Sequence, residues 1–310
     1  MSKKILVLGS INMDLVMTLD RMPEPNETIF GKTIDYIPGG KGGNQAVAAA
    51  RLGADVYFAG RVGADEYGQT LRSQLEANNI DTRFLLTDEK LKSGVAAITV
   101  DAEGNNSITV FPGANMGISL SDIPDIFSVD YDAVMMQLEI PLEIVYAVYK
   151  TAKEKNIPVV LDAGPAQSIG LDALSGIEII SPNESETKAM TGIEPCDDES
   201  AFKAAEDLYK KANAKYVVLK MGKRGALIYG QGIKELVPTF TGIKPVDSTA
   251  AGDSFTAGTL IKYLETGDMK QAVIYGNAVG SICVSRAGAQ PSLPFKDEVE
   301  RFLEESGVRN

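Results

Sequence analysis

Short apolar segments recur along the chain, and each is followed by small or polar residues. The first, Lys4–Leu8, is continuously apolar after its lysine and carries β-branched and leucine side chains. Such a run is typical of a strand that is buried on both faces. Helices are predicted at Glu66–Asn78, after Pro141, after Asp253 and over Met269–Ser285. This alternation of strands and helices predicts an α/β fold. Its further strands are predicted at Asp55–Ala59, Ala133–Met136, Ile157–Leu161, Ile177–Ile180 and Tyr216–Leu219, with a hairpin of Ala226–Tyr229 and Ile233–Val237.

Additional predicted strands interrupt this alternation in two places. The first pair is divided by the turn Pro23–Asn26, and the second pair is joined by Asp101–Asn106, a hairpin-type turn. We infer a small β lid, spanning residues 14–38 and 93–112, that is separate from the main sheet. Its strands are predicted at Leu15–Leu19, Thr28–Ile37, Ser93–Val100 and Ser107–Phe111.

The length of 310 residues allows one large α/β domain or two smaller ones, and the chain has no obvious linker, so we expect one domain over residues 1–310. The net charge of −12 argues against nucleic acid and anionic membrane as partners. The two cysteines, Cys196 and Cys283, disfavour a disulfide framework and indicate a reducing cytoplasm. The apolar runs are too short for a signal peptide or a membrane span.

Histidine is absent from the sequence. Its absence excludes Ser-His-Asp and Cys-His catalysis, and it excludes the zinc sites that need histidine. The segment Gly252–Phe255 superficially resembles the Gly-Asp-Ser motif of an esterase class, but such an enzyme would lack its base. General base work must therefore fall to Asp, Glu, Lys or Tyr.

The stretch Pro245–Gly258 begins as a turn and continues as a helix. Its small residues Ala250–Gly252 let the backbone come close to a ligand, and the first N–H groups of a helix favour an anion, phosphate above all. Asp253 lies in the first helical turn, where it could take a proton from a hydroxyl. The alternative is that Ser248 or Thr249 caps the helix and Asp253 only complements its dipole.

Polar residues follow several of the other strands. Asn12 and Asp14 suit sugar hydroxyls, although they could equally be turn residues. Glu139 lies at the end of a predicted strand and is either functional or an ordinary exposed glutamate. Asn183 and Glu186 share one face at a helix start. They could hold a hydrated Mg²⁺ with its phosphates, or they could form an N-cap with an acidic first turn.

The segment Pro38–Ala46 is rich in glycine and leads into an Ala-rich helix that runs through Leu52. Its glycines permit hinge motion and a close approach of the backbone to a ligand, and the alternative is a flexible loop before a helix. It lacks the G-x-x-x-x-G-K-[ST] pattern of a P-loop, and the turn after Leu8 lacks G-x-G-x-x-G. A P-loop and a dinucleotide site are therefore disfavoured.

Several of these segments resemble, in order, the motifs of the ribokinase-like (pfkB) carbohydrate kinases. Asp247–Asp253 resembles the D-T-x-G-A-G-D signature, with Ala250 where many members have glycine. Gly39–Ala46 resembles the sugar-binding G-G-K-G-x-N-Q-A loop, and Asn183–Glu186 resembles the N-x-x-E motif. The matches reach from Gly9 to Ser292, and they include the sugar-binding turn Gly9–Asp14 and the run Gln137–Glu139.

The resemblance implies a ribokinase-like three-layer αβα body, with a mainly parallel central sheet and a small β-sheet lid. It also implies a role for individual residues. The implied catalytic group is the base Asp253 with an anion hole of Ala250, Ala251 and Gly252. The implied sugar contacts are Asn12, Met13, Asp14, Gly39, Gly40, Lys41, Gly42, Gly43, Asn44, Glu139 and Asp253.

The resemblance places the nucleotide against a loop after the strand Tyr216–Leu219, where Lys223 and Arg224 either offset phosphate charge or are only solvated turn residues. The implied nucleotide contacts are Asn183, Glu186, Lys220, Met221, Gly222, Lys223, Arg224, Gly225, Ala251, Gly252 and Asn277. Asn183 and Glu186 are also implied to hold Mg²⁺ through water. A monovalent cation, usually K⁺, is implied at Asp247, Thr249, Cys283, Arg286, Gly288 and Ser292.

We therefore predict an ATP-dependent kinase that phosphorylates D-ribose at its 5-hydroxyl with Mg²⁺ and K⁺, and that dimerises through its lid sheets. Other substrates within the family stay open, because single side chains can switch specificity among deoxyribose, fructose and nucleosides. A non-catalytic sugar- or nucleotide-binding regulator is a further alternative, although the joint presence of Asp253, Asn183 and Glu186 speaks against it. An oxidoreductase on a Rossmann sheet is disfavoured by the missing glycine fingerprint.

Overall fold

A computed structural model describes residues 2–308, so Met1, Arg309 and Asn310 of the predicted 1–310 domain lie outside the described residues. The strands follow one another along the chain as β1 (Lys4–Leu8), β2 (Asn12–Thr18), β3 (Thr33–Gly39), β4 (Asp55–Gly63), β5 (Asp81–Asp88), β6 (Gly94–Val100), β7 (Asn106–Phe111), β8 (Ala133–Met136), β9 (Val159–Asp162), β10 (Ile179–Ser181), β11 (Tyr216–Lys220), β12 (Ala226–Gly230) and β13 (Ile233–Val237). The helices are α1 (Lys41–Arg51), α2 (Glu66–Ala77), α3 (Ile123–Ile126), α4 (Leu142–Glu154), α5 (Glu184–Thr191), α6 (Asp198–Ala212), α7 (Ala251–Thr266), α8 (Met269–Val284) and α9 (Lys296–Glu305).

Within the described residues, the large sheet has nine strands in the order β13-β12-β11-β10-β9-β8-β1-β4-β5. The strands from β11 to β5 are parallel, and β12 and β13 are antiparallel. The chain extends the sheet from β1 to β4 and β5 on one side, then crosses over to β8 and continues on the other side. Such a reversal opens a crevice at the carboxyl ends of the strands, where ligands of open α/β sheets bind.

Helices cover both faces of this sheet, which confirms the predicted three layers. One core joins α1, α2, α7, α8 and α9 to the sheet, and the other joins α4, α5 and α6 to its opposite face. The strands read as continuous apolar runs because both of their faces are buried; Ile5, Leu6, Val7 and Leu8 of β1 are all fully buried. We find no helix among residues 2–308 that is long and apolar enough to cross a bilayer.

The small sheet contains four strands in the order β3-β2-β6-β7. β2 is antiparallel to β3 and parallel to β6, and β6 is antiparallel to β7. This separate sheet agrees with the predicted lid. Its strand β2 follows β1 after a turn of only three residues, Gly9–Ile11, so the lid is joined directly to the crevice.

Some predicted bounds were wrong. β2 begins at Asn12 rather than Leu15, so Asn12 and Asp14 are strand residues paired with Gly39 and Ile37, not turn residues. β3 begins at Thr33 rather than Thr28. Lys32 adds one backbone hydrogen bond to Thr18 of β2, and residues 28–31 lie outside the strand. β4 also runs on to Gly63 instead of ending at Ala59.

Four elements had no counterpart in the sequence analysis, namely β5, α3, α6 and α9. The helix α6 carried a readable signal: Asp197 accepts a hydrogen bond from the N–H of Ser200, and Asn213 ends the helix in the left-handed region. Its buried residues recur at helical spacing and are Ala201, Ala204, Ala205, Leu208 and Ala212. A stripe made mainly of alanine is a weak apolar pattern, which is why it was overlooked.

The packing of α7 on α8 gives a prediction about stability. A Cβ atom at Gly276 of α8 would lie 2.2 Å from the Thr259 Oγ1 atom and 2.9 Å from the Phe255 carbonyl oxygen. Gly276→Ala should therefore lower the free energy of unfolding by about 1–3 kcal/mol through overpacking. The matched control is Gly280→Ala on the same helix, where the nearest atoms would be 3.6 and 3.7 Å away.

The control should leave stability unchanged or raise it by up to about 1 kcal/mol, because alanine favours the helix over glycine. Urea unfolding followed by circular dichroism measures both variants. Equal midpoints for the two variants would contradict the close-packing explanation.

Candidate active site

The turns after β1 and β8 meet at the crevice. The Ser10 hydroxyl donates to Glu139 Oε2 at 2.5 Å, and the Lys41 backbone N–H donates to the same oxygen at 3.3 Å. A Cβ atom at Gly9 would lie 1.7 Å from Gln137 Oε1, so only glycine permits this approach. Glu139 is half-buried and hydrogen-bonded rather than an ordinary exposed glutamate. Burial raises its pKa, and the nearby Lys41 ammonium opposes that rise.

The glycine-rich segment is ordered, contrary to the flexible-loop alternative. β3 runs to Gly39, Gly40 is the N-cap with φ of 82°, and α1 begins at Lys41. Gly42, Gly43 and Asn44 therefore belong to the first two turns of a helix. A Cβ atom at Gly42 would lie 2.6 Å from the Ser10 carbonyl oxygen, so this glycine lets α1 press against the turn after β1.

Asn12 and Asp14 point to the same side of β2, because alternate strand residues share a face. Both are buried. The amide nitrogen of Asn115 donates to Asn12 Oδ1 at 2.7 Å, which leaves the Asn12 amide nitrogen free to serve as a donor to a ligand. Met13 lies on the opposite face with its side chain in the core, so only its backbone is placed to touch a sugar.

Asp14 is in an unfavourable environment for a charge. Burial, together with the neighbouring carboxylates Glu139 and Asp253, raises its pKa to about 7. A Cβ atom at Gly39 would lie 2.1 Å from Asp14 Oδ2, so the glycine makes room for this carboxylate.

The helix α7 begins at Ala251, and its N-cap is Ala250 in the left-handed region with φ of 61°. The alternative in which Ser248 or Thr249 caps the helix is therefore wrong. The Thr249 hydroxyl instead donates to Asp247 Oδ1 at 2.7 Å. Left-handed backbone is costly for alanine and easy for glycine, so Ala250 holds a conformation that glycine would adopt more readily.

The first turn of α7 provides donors for an anion. The Ala251 N–H donates to the Ser248 carbonyl oxygen at 3.2 Å. The N–H groups of Gly252 and Asp253 lie where a helix offers no carbonyl partner of its own. Gly252 and Asp253 line a cavity, so these N–H groups and the positive end of the helix dipole lie at its wall.

Asp253 lies between the sugar-side residues and this helix start, and it is 5% exposed. Its Oδ2 atom accepts a hydrogen bond from the Asn44 amide at 2.9 Å, and its Oδ1 atom is 3.6 Å from the Lys41 ammonium. Among residues 2–308, Asp253 Oδ1, Asp14 Oδ1 and Asn44 Oδ1 are buried acceptors without a hydrogen-bond donor. Sugar hydroxyls are the kind of donor that such oxygens accept.

A polar cavity of about 800 Å³ opens in front of α7. Both lysines and carboxylates line it, including Lys41, Asn183, Glu186, Lys220 and Asp253. A second, mainly apolar cavity of about 360 Å³ adjoins it. Lys220, Gly222, Ser248 and Gly252 line both cavities. The pair fits a molecule with a charged part and a flat apolar part, as in a nucleotide.

Asn183 and Glu186 form the N-cap that was the structural alternative. Asn183 Oδ1 accepts from the Glu186 N–H at 2.8 Å, and Glu186 Oε2 accepts from the Asn183 N–H at 2.7 Å. Glu186 is nevertheless buried at the wall of the polar cavity, and burial raises the pKa of its carboxyl group. The N-cap does not prevent these side chains from holding a hydrated Mg²⁺, because Asn183 Oδ1 and Glu186 Oε2 each keep a further lone pair.

The described residues contain no group of three or more His, Cys, Asp or Glu side chains that could enclose a metal ion. The predicted ligands at the cavity wall, Glu186 and Asn183, are one buried carboxylate and one amide. This set fits a hydrated Mg²⁺ that is held mainly by phosphate oxygens, because Mg²⁺ keeps several waters and needs few protein ligands.

The loop after β11 has mixed roles. The Arg224 guanidinium contacts Glu184 at 3.0 Å and Asp198 at 3.5 Å, so it is bound to protein carboxylates rather than being a solvated turn residue. Lys223 is exposed beside the apolar cavity, and the Met221 side chain is in the core. Gly225 has φ of 98°, which requires glycine at this turn.

Asn277 lies on α8 at the wall of the apolar cavity. Its amide nitrogen donates to the Val237 and Pro238 carbonyl oxygens at 3.2 Å each. Its Oδ1 atom is thereby the part of the side chain available to a ligand.

The residues of the predicted cation site come together from two turns. Asp247 Oδ1 accepts from the Thr249 N–H, and Asp247 Oδ2 accepts from the Gly288 N–H, both at 2.9 Å. The Cys283 thiol lies 3.0 Å from the Ser292 hydroxyl. Arg286 pairs its guanidinium with Glu298 at 2.6 Å, so only its carbonyl is placed to face a cation.

Three residues of the site carried no role in the sequence analysis: Ser10, Asn115 and Asp162. Ser10 and Asp162 each follow the apolar part of a strand, which was a usable signal. Asn115 lies in a short 3₁₀ helix, Gly113–Gly117, and no local pattern marks it as a partner of Asn12.

Comparison with known proteins agrees with this geometry. A model of the pfkB family carbohydrate kinases matches residues 2–296. The chain belongs to this family. A ribokinase of Haemophilus influenzae is 37% identical over 306 residues, covering 98% of this chain and 99% of that protein. A ribokinase of Bacillus subtilis is 38% identical over 306 residues, covering 97% and 99%.

The solved structure of Arabidopsis thaliana ribokinase complexed with ribose and ATP has the same fold. It matches with a TM-score of 0.90 and 32% identity, covering 98% of this chain and 99% of that chain. The family and the fold class predicted from the motifs are thereby confirmed.

The environment of Asp14 predicts a pH-dependent stability. The pKa of Asp14 is about 7 in the folded chain, against 3.8 for the ordinary carboxyl group. The folded state therefore binds the extra proton, and stability falls as pH rises from about 4 to about 7. Asp14→Asn removes the charge, so its advantage over the natural protein should grow by on the order of 2 kcal/mol between pH 5 and pH 8.

Urea unfolding at both pH values measures this difference. Asp247→Asn is the control, because hydrogen bonds from Thr249 and Gly288 hold the pKa of Asp247 below its ordinary value against the effect of burial. Its effect should be the same at pH 5 and pH 8. If the stability difference between Asp14→Asn and the natural protein were the same at pH 5 and pH 8, the raised pKa of Asp14 would be contradicted.

Proposed function

We propose that this chain transfers the γ-phosphoryl group of ATP to the 5-hydroxyl of D-ribose. The observation that carries the proposal is the position of Asp253. Its buried carboxylate carries one of the unpartnered acceptor oxygens on the sugar side, and it lies in the first turn of α7 beside the polar cavity. The kinase activity follows from the family, and the ribokinases that match over nearly the whole chain support ribose as the acceptor.

The proposed sugar site lies between the lid and the body. Asn12 and Asp14 hold the sugar from β2, and Glu139 and Asn44 hold it from the body. The backbone of Met13 and the segment Gly40, Lys41, Gly42 and Gly43 complete the pocket. Closure of the lid excludes water, which would otherwise compete with the sugar as acceptor.

In the proposed reaction, Asp253 accepts the proton of the 5-hydroxyl as its oxygen attacks the γ-phosphorus. The new P–O bond forms while the bond to the β-phosphate oxygen breaks, and ADP leaves. Asn44 holds the carboxylate in place through its hydrogen bond to Oδ2. The N–H groups of the proposed anion hole, Ala250 to Gly252, stabilise charge on the transferring oxygens.

The family implies a divalent metal with ATP. Mg²⁺ would supply positive charge to the phosphate oxygens, and Asn183 and Glu186 would hold it through water. We propose that the nucleotide lies over α7 with its base in the apolar cavity. The proposed contacts are Lys220, Met221, Gly222, Lys223, Arg224, Gly225, Ala251, Gly252 and Asn277.

K⁺ is the proposed monovalent activator. The two turns that would bind it, at Asp247–Thr249 and at Cys283–Ser292, are already joined by hydrogen bonds from Thr249 and Gly288 to Asp247. A cation there would brace the segment that leads into α7, and so would set the geometry of the anion hole.

We further propose a single kinase domain over residues 1–310 that works in the cytoplasm as a homodimer through its lids. Ile108 and Val110 of β7 are 55% and 45% exposed. The strand register places Val110 in line with Ala96 and Asp14 on one face of the lid. A partner lid covering this face would bury apolar side chains beside the sugar site.

Asp253→Asn tests the base. It should lower kcat by about 10²–10⁴-fold, because an amide cannot accept the proton. The Kd for MgADP should change little, since the backbone N–H groups remain. Steady-state kinetics and calorimetry measure the two effects. Normal turnover with lost nucleotide binding would defeat the assignment.

An acceptor panel tests the substrate and the ion together. ADP release from MgATP should be strong with ribose and weaker with deoxyribose, fructose or adenosine, and K⁺ should raise it above Na⁺. Turnover with a different acceptor would support phosphoryl transfer from ATP but would contradict ribose as the substrate. No turnover with any acceptor would favour a non-catalytic regulator.

Light scattering tests the dimer. We expect the mass of two chains, and Ile108→Asp should shift it toward one chain because the buried charge would oppose association. Lys90→Asp, outside the lid face, is the control and should remain dimeric. A monomeric mass for the natural protein would refute the proposal.

A further inference from the structure

A fully buried carboxylate, Asp162, lies at the carboxyl end of β9. Its Oδ2 atom accepts hydrogen bonds from the Lys220 ammonium at 2.9 Å, from the Gln45 amide at 3.2 Å and from the Thr256 hydroxyl at 3.2 Å. Its Oδ1 atom lies 3.6 Å from the Lys41 ammonium. Burial alone would raise the pKa of Asp162, but the two lysines hold it below the ordinary value. The group is therefore a buried anion.

Both lysines extend from Asp162 to the wall of the polar cavity. The side chain of Lys220 is 11% exposed and that of Lys41 is 24% exposed. A Cβ atom at Gly252 would lie 3.7 Å from the Lys220 ammonium nitrogen, so this cation lies against the first turn of α7. The Lys41 ammonium lies 3.6 Å from Asp253 Oδ1. One cation thus borders the proposed anion hole and the other borders the proposed base.

The chain carries a net charge of −12, and Glu184, Glu186 and Glu194 also line this cavity. A polyanion can bind there only if positive charge is fixed locally. A free lysine side chain has four flexible carbon bonds, and it would spread its charge over many positions. Asp162 reaches past the end of β10 to Lys220 on β11 and removes that freedom.

We propose that Asp162 is a positioning residue, which aims Lys220 and Lys41 at the phosphate groups of the nucleotide. The proposal rests on the proposed kinase site and adds to it a residue that touches neither substrate. A purely structural role is a weak explanation, because a buried ion pair contributes little net stability compared with apolar residues of the same volume.

The test is Asp162→Asn, which keeps the shape of the side chain and removes its charge. Calorimetry with adenosine, AMP and MgADP needs no acceptor, so it is independent of whether ribose is the substrate. The affinity for MgADP should fall about tenfold, while that for adenosine should stay within about twofold, because only the phosphates meet the lysines. In kinetics, KM for ATP should rise and kcat should fall.

Thr256→Val is the matched control. It removes the uncharged Thr256 hydroxyl, which lies 3.2 Å from the same Asp162 oxygen and 2.9 Å from the Gly252 carbonyl oxygen. The charge of Asp162 remains, so all affinities should stay within about twofold. Equal losses for adenosine and MgADP in Asp162→Asn would mean general damage to the site and would overturn the proposal. Unchanged binding of MgADP would overturn it as well.

Asp162→Asn leaves Lys220 without its counter-charge, and the single variant could fail to fold for that reason. A double variant keeps the proposal testable in that case. Asp162→Asn combined with Lys220→Met removes both charges and keeps the volume. If Asp162 acts through Lys220, the two substitutions reduce MgADP affinity by less than the sum of their separate effects. If Asp162→Asn alone does not fold, the double variant should bind MgADP within about threefold of Lys220→Met. A larger loss, or full additivity, would overturn the proposal.

Discussion

The parallel register of the central strands brings their carboxyl ends to one edge of the sheet, and the site depends on this constraint. Ser10 follows β1, Glu139 follows β8, and Asp162 ends β9. Residues that are far apart in sequence therefore meet within hydrogen-bond distance, as the 129-residue separation of Ser10 and Glu139 illustrates. The reversal of strand order beside β1 opens the crevice in which they meet.

Concentrating carboxylates in one crevice is electrostatically unfavourable unless cations or ligands balance them. Asp14, Glu139 and Asp253 raise the charge density on the sugar side, and burial together with these neighbouring carboxylates raises the pKa of Asp14. Lys41 is the balancing group. Burial alone would lower the pKa of its ammonium, but Asp162, Asp253, Glu186 and Glu139 raise it well above the ordinary value. The Lys41 ammonium lies between the sugar side and the phosphate side, so it interacts electrostatically with carboxylates on both sides.

Sequence patterns predicted the family, the layers and most strands, because strands buried on both faces are continuously apolar and family motifs are local. They predicted less well where a structure depends on pairing. Asn12 was assigned to a turn because it follows glycine and serine, but the lid pairs it with Gly39 and Gly94 as a strand residue. For Pro38–Ala46 the sequence left two alternatives open, a hinge with close backbone approach and a flexible loop. In the structure Gly42 lets α1 pack closely against Ser10.

The sequence by itself determined the chemistry that is possible here. The absence of histidine leaves Asp, Glu, Lys or Tyr as the base, and the order of motifs places Asp253 at a helix start. Only the tertiary structure decided which groups act on one another. It paired Arg224 with Glu184, and it brought Lys220 and Lys41 to the buried carboxylate of Asp162. Local sequence encodes backbone preference and charge, but the direction of a long side chain depends on partners that only folding brings near.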